Sequence, residues 1–199
     1  MITVVEGSQG SGKTMLMCYF AFLEHKERKM IYSNIEFPEM LGTTNYVFLE
    51  SLEHFSSLNV SNGCLFIDEF TLWGGDSRSS SSATNKKLSV ELILQCRKKN
   101  LQAVFSSQKF EYLDLRTRQQ CDVLITCQKC VNKNGKLEPI ISNIEISPEI
   151  EVWIKCQWIN FNMNINREFS FHANPLFNKY DTKQIQKLQY KQNEGKKKK

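Results

Sequence analysis

Short runs of apolar and β-branched residues alternate along the chain with stretches of helical spacing. Ile2 to Val5 is such a run, Gly7-Ser8-Gln9-Gly10-Ser11-Gly12 follows as a turn, and Lys13 to about Arg28 reads as a helix. Met30 to Asn34 and Asn45 to Leu49 read as strands, and Gly63-Cys64-Leu65-Phe66-Ile67-Asp68 as a wholly apolar strand ending in acid. Continuous apolar runs of this kind suit a parallel sheet covered on both faces. Gly74 to Lys87 shifts to Gly, Ser, Asn and charge and reads as a loop. Lys87 to Lys99 carries Leu88, Leu92 and Cys96 at helical spacing, Leu101 to Ser106 reads as the next strand, and Cys121 to Cys127 as another. From Leu137 the texture becomes β-branched and aromatic. Ile140 to Ile146, Glu151 to Phe161 and Ile165 to His172 are expected as antiparallel strands, with a hairpin turn at Asn134-Gly135 before them. Asp181 to Gln192 is expected as a final helix.

This order predicts one α/β domain over residues 1–199. A core with a mainly parallel sheet occupies about 1–130, a C-terminal antiparallel β addition about 131–173, and a helix with a basic tail the rest. The length of 199 residues and 41% hydrophobic content fit a single globular core. The net charge of +5 says less than its size suggests, because Lys196 to Lys199 supply four of those charges and the body is nearly neutral. No apolar run approaches the roughly 20 residues of a membrane span, and the first residues lack the pattern of a secretory leader. Seven scattered cysteines suit buried thiols in a reducing compartment better than a disulfide framework.

Gly7-Ser8-Gln9-Gly10-Ser11-Gly12-Lys13-Thr14 carries the full spacing of a phosphate loop, between a strand and a helix as that motif requires. Its glycines let successive N–H groups turn toward one anion at the positive end of the helix. Lys13 can reach the β- and γ-phosphates of ATP, and the Thr14 hydroxyl can hold Mg²⁺. A second metal anchor is expected at Asp68, and Glu69 beside it is the candidate to orient and deprotonate an attacking water.

Leu92-Ile93-Leu94-Gln95-Cys96-Arg97-Lys98-Lys99-Asn100-Leu101-Gln102-Ala103-Val104-Phe105-Ser106-Ser107-Gln108, taken with the two nucleotide motifs, resembles the FtsK–HerA superfamily of DNA-pumping ATPases over about residues 1–130. The likeness is nearest to small viral genome-packaging ATPases and Zot-like assembly proteins of filamentous phages. It implies a three-layer P-loop NTPase core of the RecA-like type. It also implies that Gln108 is a polar sensor contacting the γ-phosphate or the water, and that Arg97 is an arginine finger serving a neighbouring subunit. Arg116, in Asp114-Leu115-Arg116-Thr117-Arg118, is the second choice for the finger; Arg78 and Arg118 also compete. A basic helix terminus favoured by the helix dipole is the simpler account of Arg97-Lys98-Lys99.

The implied function is ATP hydrolysis driving double-stranded DNA through a homo-oligomeric ring, with capsid or portal proteins as partners, in the host cytoplasm or on the virion. The Gly74 to Lys87 loop (Arg78, Lys86, Lys87) and the basic tail are the candidates for DNA backbone contacts. The chain is shorter than cellular members of the superfamily, and lacks the membrane-spanning segment usual in Zot-like proteins.

Two other classes compete. A nucleoside kinase of the thymidine-kinase type shares the compact size and phosphate loop; a non-catalytic nucleotide-dependent scaffold would not need Glu69. Cys127-Gln128-Lys129-Cys130, which Cys121 or Cys156 could complete, has the spacing of half a zinc site, although partly buried structural cysteines account for it better. His25, His54 and His172 show no catalytic spacing. Trp153, Trp158, Phe161, Phe169 and Phe171 fit core packing better than a base-stacking platform. Lys183, Lys187 and Lys191 extend the basic tail, which can bind phosphates or keep the chain soluble.

Overall fold

The computed structural model describes residues 1–73, 83–140 and 150–177, with the backbone alone for 83–90. Its strands are β1 (Ile2–Glu6), β2 (Met30–Ser33), β3 (Tyr46–Phe48), β4 (Gly63–Ile67), β5 (Gln102–Ser107), β6 (Val123–Lys133), β7 (Lys136–Pro139), β8 (Val152–Asn160) and β9 (Ile165–His172). They form one nine-stranded sheet in the order β3-β2-β4-β5-β1-β6-β8-β9, with β7 paired to β6 off that path. The first six strands run parallel; β8 runs antiparallel to β6, and β9 to β8.

The sheet is parallel where its strands are apolar on both faces, because each such strand must be covered twice. All five residues of β4 are buried. Helix α1 (Lys13–Lys26) covers one face and buries Met15, Leu16, Met17, Cys18 and Ala21. The core on that side also takes Val5, Ile31, Phe66, Val104, Val123 and Ile125. On the other face α2 (Leu52–Ser57) and α3 (Ala83–Lys98) enclose a second core, with Ile2, Val4, Phe55, Leu65, Ile67, Phe70, Leu92, Cys96 and Phe105. A short α4 (Leu115–Gln119) packs beside α3 and leads into β6.

The observed bounds correct several expectations. Helix α3 begins at Ala83, inside the stretch expected as a loop to Lys87, since Ala and Lys are strong helix formers whatever their polarity. Residues 74–82, with Arg78, lie outside the described residues, as do 141–149, which hold most of the expected strand Ile140 to Ile146, and 178–199, which hold the expected last helix and the tail. The strand expected to end at Cys127 runs on to Lys133, because β8 pairs with it from Val123 to Val131. The β addition therefore begins inside a core strand, and no linker separates it from the core. The turn at Asn134-Gly135 is a hairpin as expected, joining β6 to β7. Two short helices escaped the periodicity reading. Helix α2 carries its signal in Ser51, whose hydroxyl accepts the His54 N–H at 3.0 Å, and α4 in Asp114, whose carboxylate accepts the Arg116 N–H at 2.9 Å.

Among the described residues, no helix is long and apolar enough to cross a membrane. Phe105 of β5 lies fully buried at the centre of the second core and stacks on Phe70 with centroids 4.3 Å apart. Phe105→Ala is expected to cost about 3–5 kcal/mol of stability, read by denaturant unfolding.

Candidate functional site

Parallel strands deliver all their C-terminal ends to one edge of the sheet, and the candidate residues gather there. Residues 7–14 leave the end of β1 and turn into α1. Gly12 caps the helix at φ 99°, a left-handed conformation that disfavours a side chain, and a Cβ there would strike Ile154 of β8. A Cβ on Gly7 would lie 2.8 Å from the Cys127 carbonyl oxygen of β6. The loop is thus seated against β6 and β8. Ser8, Gln9 and Gly10 are exposed, whereas Ser11 is buried and its hydroxyl has no hydrogen-bond partner among the described residues. Lys13, 5% exposed, donates to the carbonyls of Gly7 at 3.1 Å and Ser8 at 3.2 Å, and its Nζ stands 3.9 Å from Glu69 Oε1.

Asp68 and Glu69 follow β4, two strands away from β1, with β5 between. The Thr14 hydroxyl bridges that gap and donates to Asp68 Oδ2 at 2.8 Å. The Ser106 hydroxyl, at the end of the intervening β5, donates to Asp68 Oδ1, and Ser106 Oγ in turn accepts the Glu69 N–H at 2.8 Å. Asn34, just past β2, holds both sides of the Asp68 backbone: its Nδ2 donates to the Asp68 carbonyl at 2.9 Å and its Oδ1 accepts the Asp68 N–H at 2.7 Å. These contacts hold Glu69 in a left-handed turn at φ 48°. Burial raises the Glu69 carboxyl above the usual range and the Asp68 charge adds to this, while Lys13 opposes it. Asn34 and Ser106 were missed by the sequence reading. Their only signal is position, a polar residue ending an apolar strand on either side of β4.

Glu6 pairs with Ser107, so Gln108 lies level with Gly7, exposed beside the phosphate loop. Arg97 lies elsewhere. Its guanidinium donates to Asp122 Oδ1 at 3.3 Å and to the Gln120 carbonyl at 3.2 Å, and Asp122 Oδ2 accepts the N–H of Ile2, the first residue of β1. Arg97 therefore sits at the opposite end of β1 from the phosphate loop, about 15 Å away by strand rise. Arg116 is exposed on α4 and lines a groove of about 240 Å³ with Ile93, Leu94 and Thr117, while Arg118 is half-buried on the same helix.

The cysteine pair does not form half a zinc site. Cys127 and Cys130 are three apart in an unbroken strand, so they face opposite sides of the sheet. Cys127 faces Cys156 with sulfurs 3.9 Å apart in the core, and Cys130 contacts the Gln128 carbonyl. Among the described residues, no group of three or more His, Cys, Asp or Glu is placed to hold a metal. Four of the five aromatic residues pack as expected: Phe171 stacks on Tyr19 and Trp153 on His172, while Trp158 and Phe169 line the first core; Phe161, expected in the core, is exposed because it follows the last residue of β8.

No protein-family model and no curated protein sequence matches the chain. Solved structures do. The genome packaging NTPase B204 of Sulfolobus turreted icosahedral virus 2, in complex with ATP-gammaS, aligns at 12% identity over 84% of this chain and 95% of that one, with a TM-score of 0.53. The N-terminal domain of zonular occludens toxin from Neisseria meningitidis aligns at 13% identity over 90% and 98%, with a TM-score of 0.53. The flagellar accessory protein FlaH of Methanocaldococcus jannaschii aligns at 10% identity over 84% of each chain, with a TM-score of 0.55. The shared fold is that of the P-loop NTPases, the one the FtsK–HerA resemblance implies.

Two outcomes follow from the contacts. Asn34→Ala leaves the Asp68 N–H and C=O buried and unpaired, and is expected to cost about 1–3 kcal/mol for each group, read by denaturant unfolding. At Asp122, burial opposes the charge, but the Ile2 N–H, the Asn162 amide and Arg97 outweigh it and hold the carboxyl below the usual range. A lowered pKa contributes stability above the unfolded value of about 3.9 and loses it as pH falls through the folded one. Asp122→Asn is thus expected to be less stable than the parent at pH 7, with the gap closing below about pH 4.

Proposed function

We propose that this protein binds ATP and hydrolyses it as the motor of a viral packaging or assembly machine. The observation that carries this reading is the position of Glu69: a carboxylate with a raised pKa, locked in a left-handed turn 3.9 Å from Lys13 at the phosphate loop. A pure binding module needs the loop but not a base. The raised pKa makes Glu69 a stronger base than a solvated carboxylate, and its fixed turn aims it at the position of an attacking water.

In this reading the loop N–H groups and the α1 N-terminus hold the phosphate chain, Ser11 supplies a further hydroxyl, and Lys13 exchanges its loop carbonyls for phosphate oxygens. Gln108 orients the γ-phosphate or the water. Thr14 and Asp68 offer a hydroxyl and a carboxylate 2.8 Å apart, a hard oxygen pair that fits Mg²⁺, and these two residues would hold it. When bound, that ion neutralises phosphate charge. The complex of the B204 neighbour with ATP-gammaS supports a nucleotide as the ligand.

Coupling to double-stranded DNA, a homo-oligomeric ring, contacts with capsid or portal proteins, and a place in the host cytoplasm or on the virion belong to the same proposal. Arg97 is too far from its own phosphate loop to serve it, so as a finger it must serve a neighbouring subunit's nucleotide, with Arg116 as the alternative. Zot-like assembly is the variant supported by the Neisseria neighbour. The nucleoside-kinase reading loses its zinc feature, with Cys127 and Cys130 on opposite faces.

Glu69→Gln is expected to retain ATP binding and lose about 10²–10⁴ in hydrolysis rate, while Lys13→Ala loses binding. Duplex DNA is expected to stimulate the parent's hydrolysis. Nucleoside phosphorylation without DNA stimulation overturns the motor. Mixing Arg97→Ala with Lys13→Ala chains is expected to restore part of the activity, since one kind of mixed interface retains both groups; no restoration at any ratio removes Arg97 as a finger acting between subunits.

A further inference from the structure

Lys129 differs from Lys133 and Lys155, its neighbours in the wing formed by the antiparallel part of the sheet (β6 to β9). Lys133 is paired with Glu138 at 2.8 Å and Lys155 with Glu168 at 3.0 Å. Lys129 is half-buried and has no ion pair or side-chain hydrogen bond among the described residues. Burial pushes its ammonium below the usual lysine range, with no anion among the described residues to offset the cost.

Its position gives that unpaired charge a direction. Lys129 continues the inward row Val123, Ile125 and Cys127 of β6, on the sheet face that α1 covers. It pairs directly across from Ile154, the residue that fills the space beside Gly12, and lies two residues beyond Cys127, whose carbonyl approaches Gly7. Thr126 is level with Glu6 at the end of β1, so Lys129 stands about 10 Å further along β6, past the edge where the phosphate loop turns. A lysine stem extends far enough from there to reach over the loop, and a cross-strand neighbour of Ile154 sits within about 5.5 Å of it at Cβ.

We propose that Lys129 is a second nucleotide-binding cation, contacting the phosphate groups of a nucleotide held in residues 7–14 from the side opposite Asp68 and Glu69. Lys13 approaches from the sheet edge below the loop, and Lys129 from the wall that β6 and β8 raise beside it. This rests on the nucleotide-binding reading above, and it assigns the wing a part in the site that the phosphate-loop pattern does not contain.

Calorimetric titration with ATP, AMP and rising salt tests it. Lys129→Met keeps the stem and removes the charge. It is expected to bind ATP about tenfold more weakly, to show a smaller loss of affinity with salt than the parent, and to unfold at or above the parent's temperature. Lys129→Arg is expected to bind ATP within about threefold of the parent. AMP affinity is expected to change less than ATP affinity, since fewer phosphate oxygens are present. Parent-like ATP binding by Lys129→Met overturns the proposal, and if Lys13→Ala abolishes binding in the same series, the nucleotide reading survives that failure. Weakened binding that Lys129→Arg does not restore, together with a lowered unfolding temperature, also overturns it and makes Lys129 a packing residue. A parent chain that binds no ATP removes both readings.

Discussion

A carboxylate taken out of water must be surrounded by donors, and the fold at this edge is organised around meeting that demand for Asp68. Only 3% of Asp68 is exposed. Its two oxygens take the hydroxyls of Thr14 and Ser106, its backbone is held by Asn34, and the next N–H returns to Ser106. Those partners come from α1, β5 and the end of β2. The sheet order β2-β4-β5-β1 is therefore also the wiring of the site, since only with β5 between β4 and β1 does a hydroxyl stand on each side of the carboxylate. Removing one donor leaves the charge short of partners, a far larger penalty than losing a surface pair.

The wing supports the same site from the other side. Glu6 accepts from the Thr126 hydroxyl of β6 at 3.0 Å and from the Phe110 N–H at 2.9 Å, fixing the strand that feeds the loop. Ile154 and the Cys127 carbonyl leave room for nothing larger than glycine at positions 12 and 7. The motif's glycines are thus set by two constraints at once, the backbone turn and the wall behind it.

Much of this was legible in the sequence because it is local. The phosphate loop announces itself by spacing, the apolar run ahead of Asp68 by composition, and the position of Gln108 by the strand it ends. What was not legible depends on pairing between distant residues. Asn34 and Ser106 are ordinary polar residues until β2 and β5 flank β4. The spacing of Cys127 and Cys130 suggests a metal pair, but strand alternation turns the two thiols to opposite faces. Arg97 lies in the last turn of a helix as the resemblance describes, yet its partner Asp122 stands just before β6, whose start only the tertiary structure reveals. The end of the core at about residue 130 looked like a boundary because composition changes there, although β6 runs through it.

The seating of Gly12 against Ile154 also has a consequence in time. The phosphate loop leaves a ribosome ahead of the residues that back it, which lie some 140 positions later. At about 5–20 residues per second that interval is roughly 7–30 s. For the greater part of it β1 has neither of its neighbours, since β5 and β6 follow β1 by a hundred residues or more. The apolar strand must stay unpaired until β5 is made, and a nucleotide has no finished cradle to enter until β8 follows. Closure of the site is a late event in the life of the chain, so a polypeptide stalled before β8 would carry the whole motif and still lack its place of work.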